Sequence, residues 1–204
     1  MYLPLMLELD GQRIVCVGAG PAARRKVVPL HDCGAHLIII APQVDPAVAE
    51  VARTVHQRPY RAGDLDGGRP IRLVVAATGR PQVDQQVHDD AAERGIWCLR
   101  VDGKGDAAVP AIIRRSGIVA AMTTGVPVLT QRLRQALELV IDHRWEDASQ
   151  HLTSLRRDPA VRTALAAVDA DERRARWHRA VDLMLADDAF GDGTTPAQIL
   201  MGEV

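Results

Sequence analysis

The chain has 204 residues, of which 47% are hydrophobic and 25% charged, and its formal net charge is -1. This length and composition predict an intracellular globular protein with a buried core. The balanced charge excludes a global field that would attract nucleic acid or an anionic membrane, so we expect neither partner. No apolar run reaches the roughly 20 residues that cross a bilayer, and the N-terminus lacks a signal-peptide pattern. We therefore predict a cytoplasmic protein.

In the first half of the chain, strand-like and helix-like segments alternate, as they do in a doubly wound parallel sheet. The strand-like runs are continuous and apolar, which suits a sheet covered on both faces. We predict strands at Arg13–Val17 and at residues 36–41, 55–58, 71–77 and 96–101. Helices are predicted after the first strand and at residues 46–53 and 82–94.

The first strand runs into a G-x-G-x-x-A turn that is followed by a helix. Gly18 permits a tight turn, Gly20 permits close approach of the backbone to a pyrophosphate, and Ala23 permits close packing of helix and strand. The free N–H groups and the positive dipole end of the helix favour phosphate. The turn therefore predicts a dinucleotide site, and its cofactor-binding residues are Gly18, Ala19, Gly20, Pro21, Ala22 and Ala23.

The pattern changes in the second half of the chain. Residues 104–106 resemble a flexible loop, and a further strand is predicted at Ile118–Met122 before a Thr-Thr-Gly turn. A helix is predicted at residues 128–142 from its apolar spacing, and the sequence from Glu146 onward is helical and strongly charged. After Asp188 we expect a loop and then a short last helical turn.

Several motifs, taken in order, resemble those of the precorrin-2 dehydrogenase family, which includes the N-terminal half of siroheme synthases. A Tyr-Leu-Pro-Leu lead-in at Tyr2 precedes the glycine turn, and Ala-Ala-Thr at residues 76–78 ends the fourth strand. Later motifs are Gly-Ile-Trp at 95–97, Val-Asp at 101–102, Pro-Ala-Ile-Ile-Arg-Arg-Ser at 110–116 and Thr-Thr-Gly at 123–125. The resemblance covers about the first 140 residues and matches the remainder only in type.

This resemblance implies a Rossmann-type doubly wound parallel α/β sheet, followed by a dimerisation segment and a helical C-terminal region. The implied domains are residues 1–113 for NAD binding, 114–145 for dimerisation and 146–204 for the helical domain. The implied activity is the NAD-dependent oxidation of precorrin-2 to sirohydrochlorin by a homodimer. In some members of the family ferrous iron is then inserted to give siroheme.

The resemblance also implies the site residues. Asp102, at the end of a parallel strand, is the expected general base, because oxidation transfers a hydride to nicotinamide and a proton to a base. Thr78 is expected over the cofactor. For the substrate carboxylates we expect a hydroxyl and several cations, because Arg pairs with a carboxylate through two hydrogen bonds. These residues are Thr124, Lys104, Arg114 and Arg115, with Arg100 as a further local cation.

Some residues depart from the family pattern beside the expected substrate site. The family has Asn-Val-Val-Asp before the catalytic position, whereas residues 99–102 read Leu-Arg-Val-Asp. The loop after Asp102 and the turn after Thr124 are also shorter than in the family. The alternative is therefore a catalytically altered or inactive NAD-binding or tetrapyrrole-carrying protein on the same scaffold.

The residues after the second strand bear on the choice of cofactor. The first carboxylate after the second strand is that of Asp45, which lies late in the sequence for a contact with the ribose. No Arg or Lys lies in this segment to bind a 2′-phosphate. NAD is therefore favoured over NADP, largely on family grounds. A short-chain dehydrogenase is excluded because neither Tyr2 nor Tyr60 has a lysine four residues later. The three cysteines and seven histidines show no metal-ligand spacing, so no protein metal site is predicted.

Overall fold

The computed structural model describes residues 3–186 and 193–204. The chain divides into two compact units, Met1–Val109 and Pro110–Val204. Tyr2 of the lead-in motif and residues 188–192 of the predicted loop lie outside the described residues. Within the described ranges, no helix is both long and apolar enough to cross a membrane.

The first unit contains a five-stranded parallel sheet. Its strands are β1 (Arg13–Val17), β2 (His36–Ile40), β3 (Thr54–His56), β4 (Ile71–Ala76) and β5 (Trp97–Arg100). Their order across the sheet is β3-β2-β1-β4-β5, so the order reverses between β1 and β4. This is the strand order of a dinucleotide-binding Rossmann sheet, and it confirms the predicted fold class.

Helices cover both faces of this sheet, which is why its strands are apolar throughout. They are α1 (Pro21–His31), α2 (Pro46–Val51) and α3 (Pro81–Glu93), and a short 3₁₀ turn spans Ala62–Leu65. Successive side chains of β1 point to opposite faces: Cys16 packs with Val27 of α1, and Val15 packs with Val87 of α3. The carboxyl ends of the strands remain as the edge where ligands bind in such folds.

The second unit begins with a hairpin, of which the sequence predicted only the second strand. Its strands are β6 (Ala111–Arg115) and β7 (Ile118–Met122), and they pair antiparallel. Between them Ser116 and Gly117 both have positive φ, at 42° and 86°, as a two-residue hairpin turn requires. The predicted domain boundary after residue 113 falls inside β6.

Five helices complete the described part of the second unit. They are α4 (Pro127–Val140), α5 (His143–Arg157), α6 (Pro159–Ala166), α7 (Ala170–Leu185) and α8 (Pro196–Met201). A small core joins α6, α7 and α8 through Val161, Ala180 and Leu200. By contrast, α4 has no buried residue. The helical pattern predicted from residue 146 onward corresponds to α5 and the helices after it.

Candidate functional site

The glycine turn lies where β1 ends, between β2 and β4. Gly18 has a φ of +104°, and its N–H donates to the carbonyl of Ile40 over 2.9 Å. A Cβ at Gly18 would lie 2.2 Å from the carbonyl oxygen of Ala77 and 2.8 Å from the backbone nitrogen of Thr78. The ends of β1 and β4 therefore touch at this point, and only glycine fits there.

Gly20 serves a different purpose, because nothing in the protein crowds it. A Cβ at Gly20 would meet no atom within 4 Å. Gly20 is the N-cap of α1, no side chain caps this helix, and Pro21 occupies its first turn. The first N–H groups of α1 therefore have no side-chain acceptor, and such a helix start binds phosphate.

Five other helices in the described ranges are capped by a side chain at this position, whereas α3 and α4, like α1, are not. Asp45, Asp142, Asp158 and Asp169 each accept a backbone N–H at the start of α2, α5, α6 and α7, respectively. Thr195 does the same for α8. Among these three uncapped helices, α1 is the one that follows the glycine turn at the end of β1, and such a helix start suits a phosphate.

Asp45 lies closer to the glycine turn than its place in the sequence indicates. Its backbone N–H donates to the carbonyl of Ala19 over 3.1 Å. Its Oδ1 accepts from the N–H of Ala47 over 2.9 Å. The loop after β2 thus returns to the turn, which the expectation based on spacing alone did not foresee.

Thr78 follows β4, as predicted, but its hydroxyl is engaged within the protein. The backbone N–H and the hydroxyl of Thr78 both donate to Oδ1 of Asp84, over 3.0 and 2.8 Å. The hydroxyl oxygen also accepts the N–H of Arg80. Thr78 therefore lies in a backbone turn that Asp84 holds in place.

Asp102 lies just beyond β5, at the carboxyl edge where it was predicted. One of its oxygens is 3.5 Å from a guanidinium nitrogen of Arg100. Arg100 donates from Nη1 to Gln85 of α3 over 2.5 Å, and its side chain is only 12% exposed. Arg100 is thus directed to Asp102 and Gln85 rather than to solvent.

The segment after Asp102 is held against β5, although the sequence indicated a flexible loop. The carboxylate of Asp106 accepts the N–H of Cys98 over 3.0 Å, and the N–H of Asp106 donates to the carbonyl of Cys98. A Cβ at Gly105 would lie 2.5 Å from that carbonyl oxygen. Lys104 is exposed on this short, fixed loop.

Thr124, a predicted substrate residue of the second unit, lies in the turn before α4. The Thr124 hydroxyl donates to the carbonyl of Val126 over 2.9 Å and lies 2.8 Å from the Thr130 hydroxyl. These bonds organise the exposed turn before α4. Thr124 thus forms part of a local hydrogen-bonded turn rather than an isolated hydroxyl.

Arg114 and Arg115 are exposed residues at the end of β6. Arg115 donates to the carbonyl of Ile141 over 3.1 Å and lies 3.6 Å from a carboxylate oxygen of Glu146. The second of these residues therefore joins the hairpin to the helices that follow it. Arg115 is thus exposed but already paired with Glu146 within the second unit.

Two thiols are buried in the sheet of the first unit. Burial, with a smaller contribution from Asp84, raises the pKa of Cys16 to about 12. Burial and then Asp106 raise the pKa of Cys98 to about 12 as well. Both residues are therefore neutral thiols at physiological pH, and neither acts as a nucleophile.

The residues that sequence reasoning missed are Asp84 and Gln85 on α3. Asp84 lies three residues before Val87 and seven before Ala91, which are both buried. An acid at this spacing lies on the apolar face of the helix. A carboxylate on the apolar face of a predicted helix was the feature of the sequence that could have identified Asp84. Its hydrogen bonds with Thr78 were visible only in the structure.

The reversed strand order, the glycine turn and the open start of α1 define a dinucleotide-binding α/β domain. The chain belongs to a family of such domains: residues 5–111 match the family described as "Putative NAD(P)-binding". The cofactor of the first unit is accordingly a nicotinamide dinucleotide.

Siroheme synthases are similar to the whole chain. That of Azotobacter vinelandii is 34% identical over 98% of this chain and 43% of its own length. That of Pseudomonas entomophila is 34% identical over 100% and 44%, and that of Chromobacterium violaceum is 36% identical over 98% and 43%. The chain spans less than half the length of these relatives. The resemblance inferred from the sequence is confirmed.

The fold is also similar to that of a solved structure, "SirC, precorrin-2 dehydrogenase". The TM-score is 0.69, with 21% sequence identity, over 99% of this chain and 98% of that one. At this level of identity the likeness shows the fold. It extends over both units, so the helical second unit belongs to the shared architecture.

Proposed function

We propose that this chain catalyses the NAD-dependent oxidation of precorrin-2 to sirohydrochlorin, a step of siroheme synthesis. The observation that carries the proposal is the dinucleotide turn in a chain similar over its whole length to siroheme synthases. The shared fold with a precorrin-2 dehydrogenase supports it.

The residues of the glycine turn fit the proposed cofactor. Gly20 leaves room for a phosphate, because a Cβ there would meet nothing within 4 Å. The backbone N–H groups at the start of α1 provide the donors. The residues proposed to hold the pyrophosphate are Gly18, Ala19, Gly20, Pro21, Ala22 and Ala23, with Thr78 beside them. When bound, the nicotinamide supplies the hydride acceptor.

The preference for NAD over NADP is part of the proposal, and Asp45 is the observation that supports it. Asp45 is held beside Ala19 by a hydrogen bond of 3.1 Å, and one carboxylate oxygen caps α2. A carboxylate near the adenosine ribose favours a 2′-hydroxyl and repels a 2′-phosphate.

Asp45→Asn tests this preference, because Asn caps helices as well as Asp does. We expect the ratio of the Kd values for NADP and NAD to fall about tenfold, measured by calorimetry. Asp158→Asn, which alters an equivalent cap on α6, is the matched control. An unchanged ratio in Asp45→Asn would remove this residue from cofactor selection.

Asp102 is the proposed general base of the oxidation. It stands at the carboxyl edge of the sheet, where α/β enzymes carry their chemistry. Arg100, 3.5 Å away, neutralises part of its charge and limits the orientations of its carboxylate. Asp102 thus takes the proton that the substrate loses when the hydride leaves.

The substrate is a polycarboxylate, so cations and hydroxyls are its natural ligands. We propose Lys104, which is exposed beyond Asp102, together with Arg114 and Thr124. Arg115 is also proposed as a substrate residue, because the family resemblance implies it. Its contacts with Ile141 and Glu146 favour a role in supporting the hairpin.

We further propose that the protein is a homodimer in the cytoplasm. The second unit supports dimerisation, because α4 exposes 54% of Leu129, 39% of Leu133 and 60% of Val140. These residues recur at helical spacing on one face, as in a helix that packs against a partner. The free, buried thiols of Cys16 and Cys98 are compatible with a reducing compartment.

The decisive experiment supplies purified protein with precorrin-2 and NAD and follows sirohydrochlorin by absorbance. We expect turnover, and we expect Asp102→Ala to abolish it while leaving the Kd for NAD nearly unchanged. Full turnover in Asp102→Ala would remove Asp102 from the mechanism. Ferrous iron added to the same assay measures metal insertion, in which iron is a substrate.

The rival is a catalytically altered protein that binds NAD or carries a tetrapyrrole. The observation that favours it is the pairing of Asp102 with Arg100, since Arg100 stands where the family pattern has Val, and Leu99 where it has Asn. NAD binding without turnover in the same assay would establish this rival.

A further inference from the structure

Asp84 is the feature of the first unit that the proposed reaction does not use. Among the described residues it is the only polar or charged one that is buried, with an exposure of 0%. Its Oδ2 has no hydrogen-bond partner. Burying a carboxylate with one oxygen unpaired is costly, so the position requires an explanation.

The hydrogen bonds of Oδ1, the other carboxylate oxygen of Asp84, explain why a carboxylate is buried here. Oδ1 of Asp84 accepts both the backbone N–H and the hydroxyl of Thr78, while Arg80 donates its N–H to the Thr78 hydroxyl oxygen. The turn between β4 and α3 is thereby closed by one carboxylate. The location of Asp84 in the first turn of α3 also places its charge at the favourable end of the helix dipole.

This turn lies directly against the glycine turn. A Cβ at Gly18 would come within 2.8 Å of the Thr78 nitrogen, so the two turns are in contact. In a Rossmann sheet one mononucleotide lies over each half, and the adenosine half belongs to the β1 and β2 side. Thr78 and Asp84 belong to β4 and α3, which is the other half.

We propose that Asp84 is the positioning residue for the nicotinamide half of the cofactor site, acting through the Thr78 turn. This inference rests on the proposed dinucleotide site but not on the dehydrogenase reaction. It explains why a hydroxyl predicted to meet the cofactor is bonded to a buried carboxylate instead. The backbone of the turn, held in one conformation, forms the wall that the ligand meets.

The test compares NAD with ADP, which lacks the nicotinamide half, by isothermal titration calorimetry. For Asp84→Ala we expect the Kd for NAD to rise about tenfold and the Kd for ADP to change by less than about twofold. Asp84→Asn keeps an acceptor for the Thr78 N–H and is expected to restore most of the NAD affinity. Thr78→Val loses the hydroxyl bonds with Asp84 and Arg80, and its Kd for NAD is expected to lie between those of Asp84→Ala and the wild type.

Val87→Ala is the matched control, because Val87 is also fully buried on α3 but makes no contact of this kind. It is expected to lower stability in urea while leaving both Kd values unchanged. Should Asp84→Ala fail to fold, Thr78→Val carries the comparison, since it keeps the backbone bond to Asp84.

Parallel weakening of NAD and ADP in Asp84→Ala would overturn the inference, and so would NAD binding equal to that of the wild type. A wild-type protein that binds neither ligand would overturn both this inference and the cofactor site. NAD binding without precorrin-2 turnover would overturn only the dehydrogenase proposal.

Discussion

The two units of the chain bury their apolar residues very differently. In the first unit, helices pack on both faces of the sheet, and β1 has four fully buried residues in succession, Ile14 to Val17. In the second unit, α4 has no buried residue and the exposed β7 shows Val119 at 40%. The sheet of the first unit is thus covered on both faces, whereas α4 of the second unit presents an apolar face that the proposed homodimer would cover.

This difference predicts which kind of substitution each unit tolerates least. The first unit is expected to lose stability when an atom is added at a tight contact, because the interior around its sheet is close-packed. The second unit is expected to lose association instead, when a charge is placed on the apolar face of α4. The following experiments test that distinction.

Gly18→Ala is expected to have the largest effect. The added methyl group would lie 2.2 Å from the carbonyl oxygen of Ala77 at a φ of +104°, so β1 and β4 must separate. We expect a loss of about 3 kcal/mol or more in the free energy of unfolding, measured in urea, together with loss of NAD binding.

Gly20→Ala is its matched control in the same turn. The φ of Gly20 is -87° and a Cβ meets nothing within 4 Å, so we expect stability within about 0.5 kcal/mol of the wild type. The Kd for NAD should nevertheless rise, because the methyl group occupies the space of the pyrophosphate. Equal stability losses in the two variants would contradict the division between a structural and a binding glycine.

The double change Leu129→Glu and Leu133→Glu tests the second unit. Both residues lie one turn apart on the exposed face of α4. We expect light scattering to give the mass of a dimer for the wild type and of one chain for the variant, with the helical content unchanged. Gln131→Glu, on the opposite face of the same helix, should remain dimeric. A wild-type mass of one chain would show that this apolar face has another purpose.

Arg100→Gln separates two roles for a cation in the first unit. Because Arg100 is directed to Asp102, we expect kcat to fall about tenfold with KM for precorrin-2 unchanged. A residue that binds a substrate carboxylate would instead raise KM. Arg94→Gln is the control, since Arg94 pairs with Asp66 in the same unit and has no place in the site.

The smallest expected effect concerns the thiols. The raised pKa values of Cys16 and Cys98, about 12, keep both neutral at pH 8. A thiol reagent should therefore modify only the half-buried Cys33 in the native chain and all three cysteines in denaturant. As the pH rises above about 9, the unfolded chain loses thiol protons that the folded chain keeps, so the free energy of unfolding should fall. Reaction of Cys16 in the native chain would show that the sheet opens readily.

Much of the first unit could be predicted from its sequence because its signals are local. The bounds of β1 agree with the prediction, and those of β2, β4 and α3 differ by a residue. In each case a pattern of apolar residues next to Gly or Pro is sufficient to predict where the element begins or ends. The β6 strand was missed, although the Ser116 and Gly117 turn beside it is a local signal, since its alternation is short and two arginines end it.

The candidate site was predictable only in part. Its glycine turn follows from the G-x-G-x-x-A motif, the place of Asp102 from the strand that precedes it, and the family from the order of the motifs. The side-chain contacts could not be predicted from the sequence. Thr78 donates to Asp84, and Arg100 donates to Gln85 and pairs with Asp102.

The sequence by itself determined that a parallel sheet would place a glycine turn, a strand end and Asp102 at one edge. Periodicity and turn residues act over a few positions, so they can be read without coordinates. Only the tertiary structure decided which side chains are free at that edge. Those pairings depend on how α3 lies against β4 and β5, which no local pattern of residues specifies.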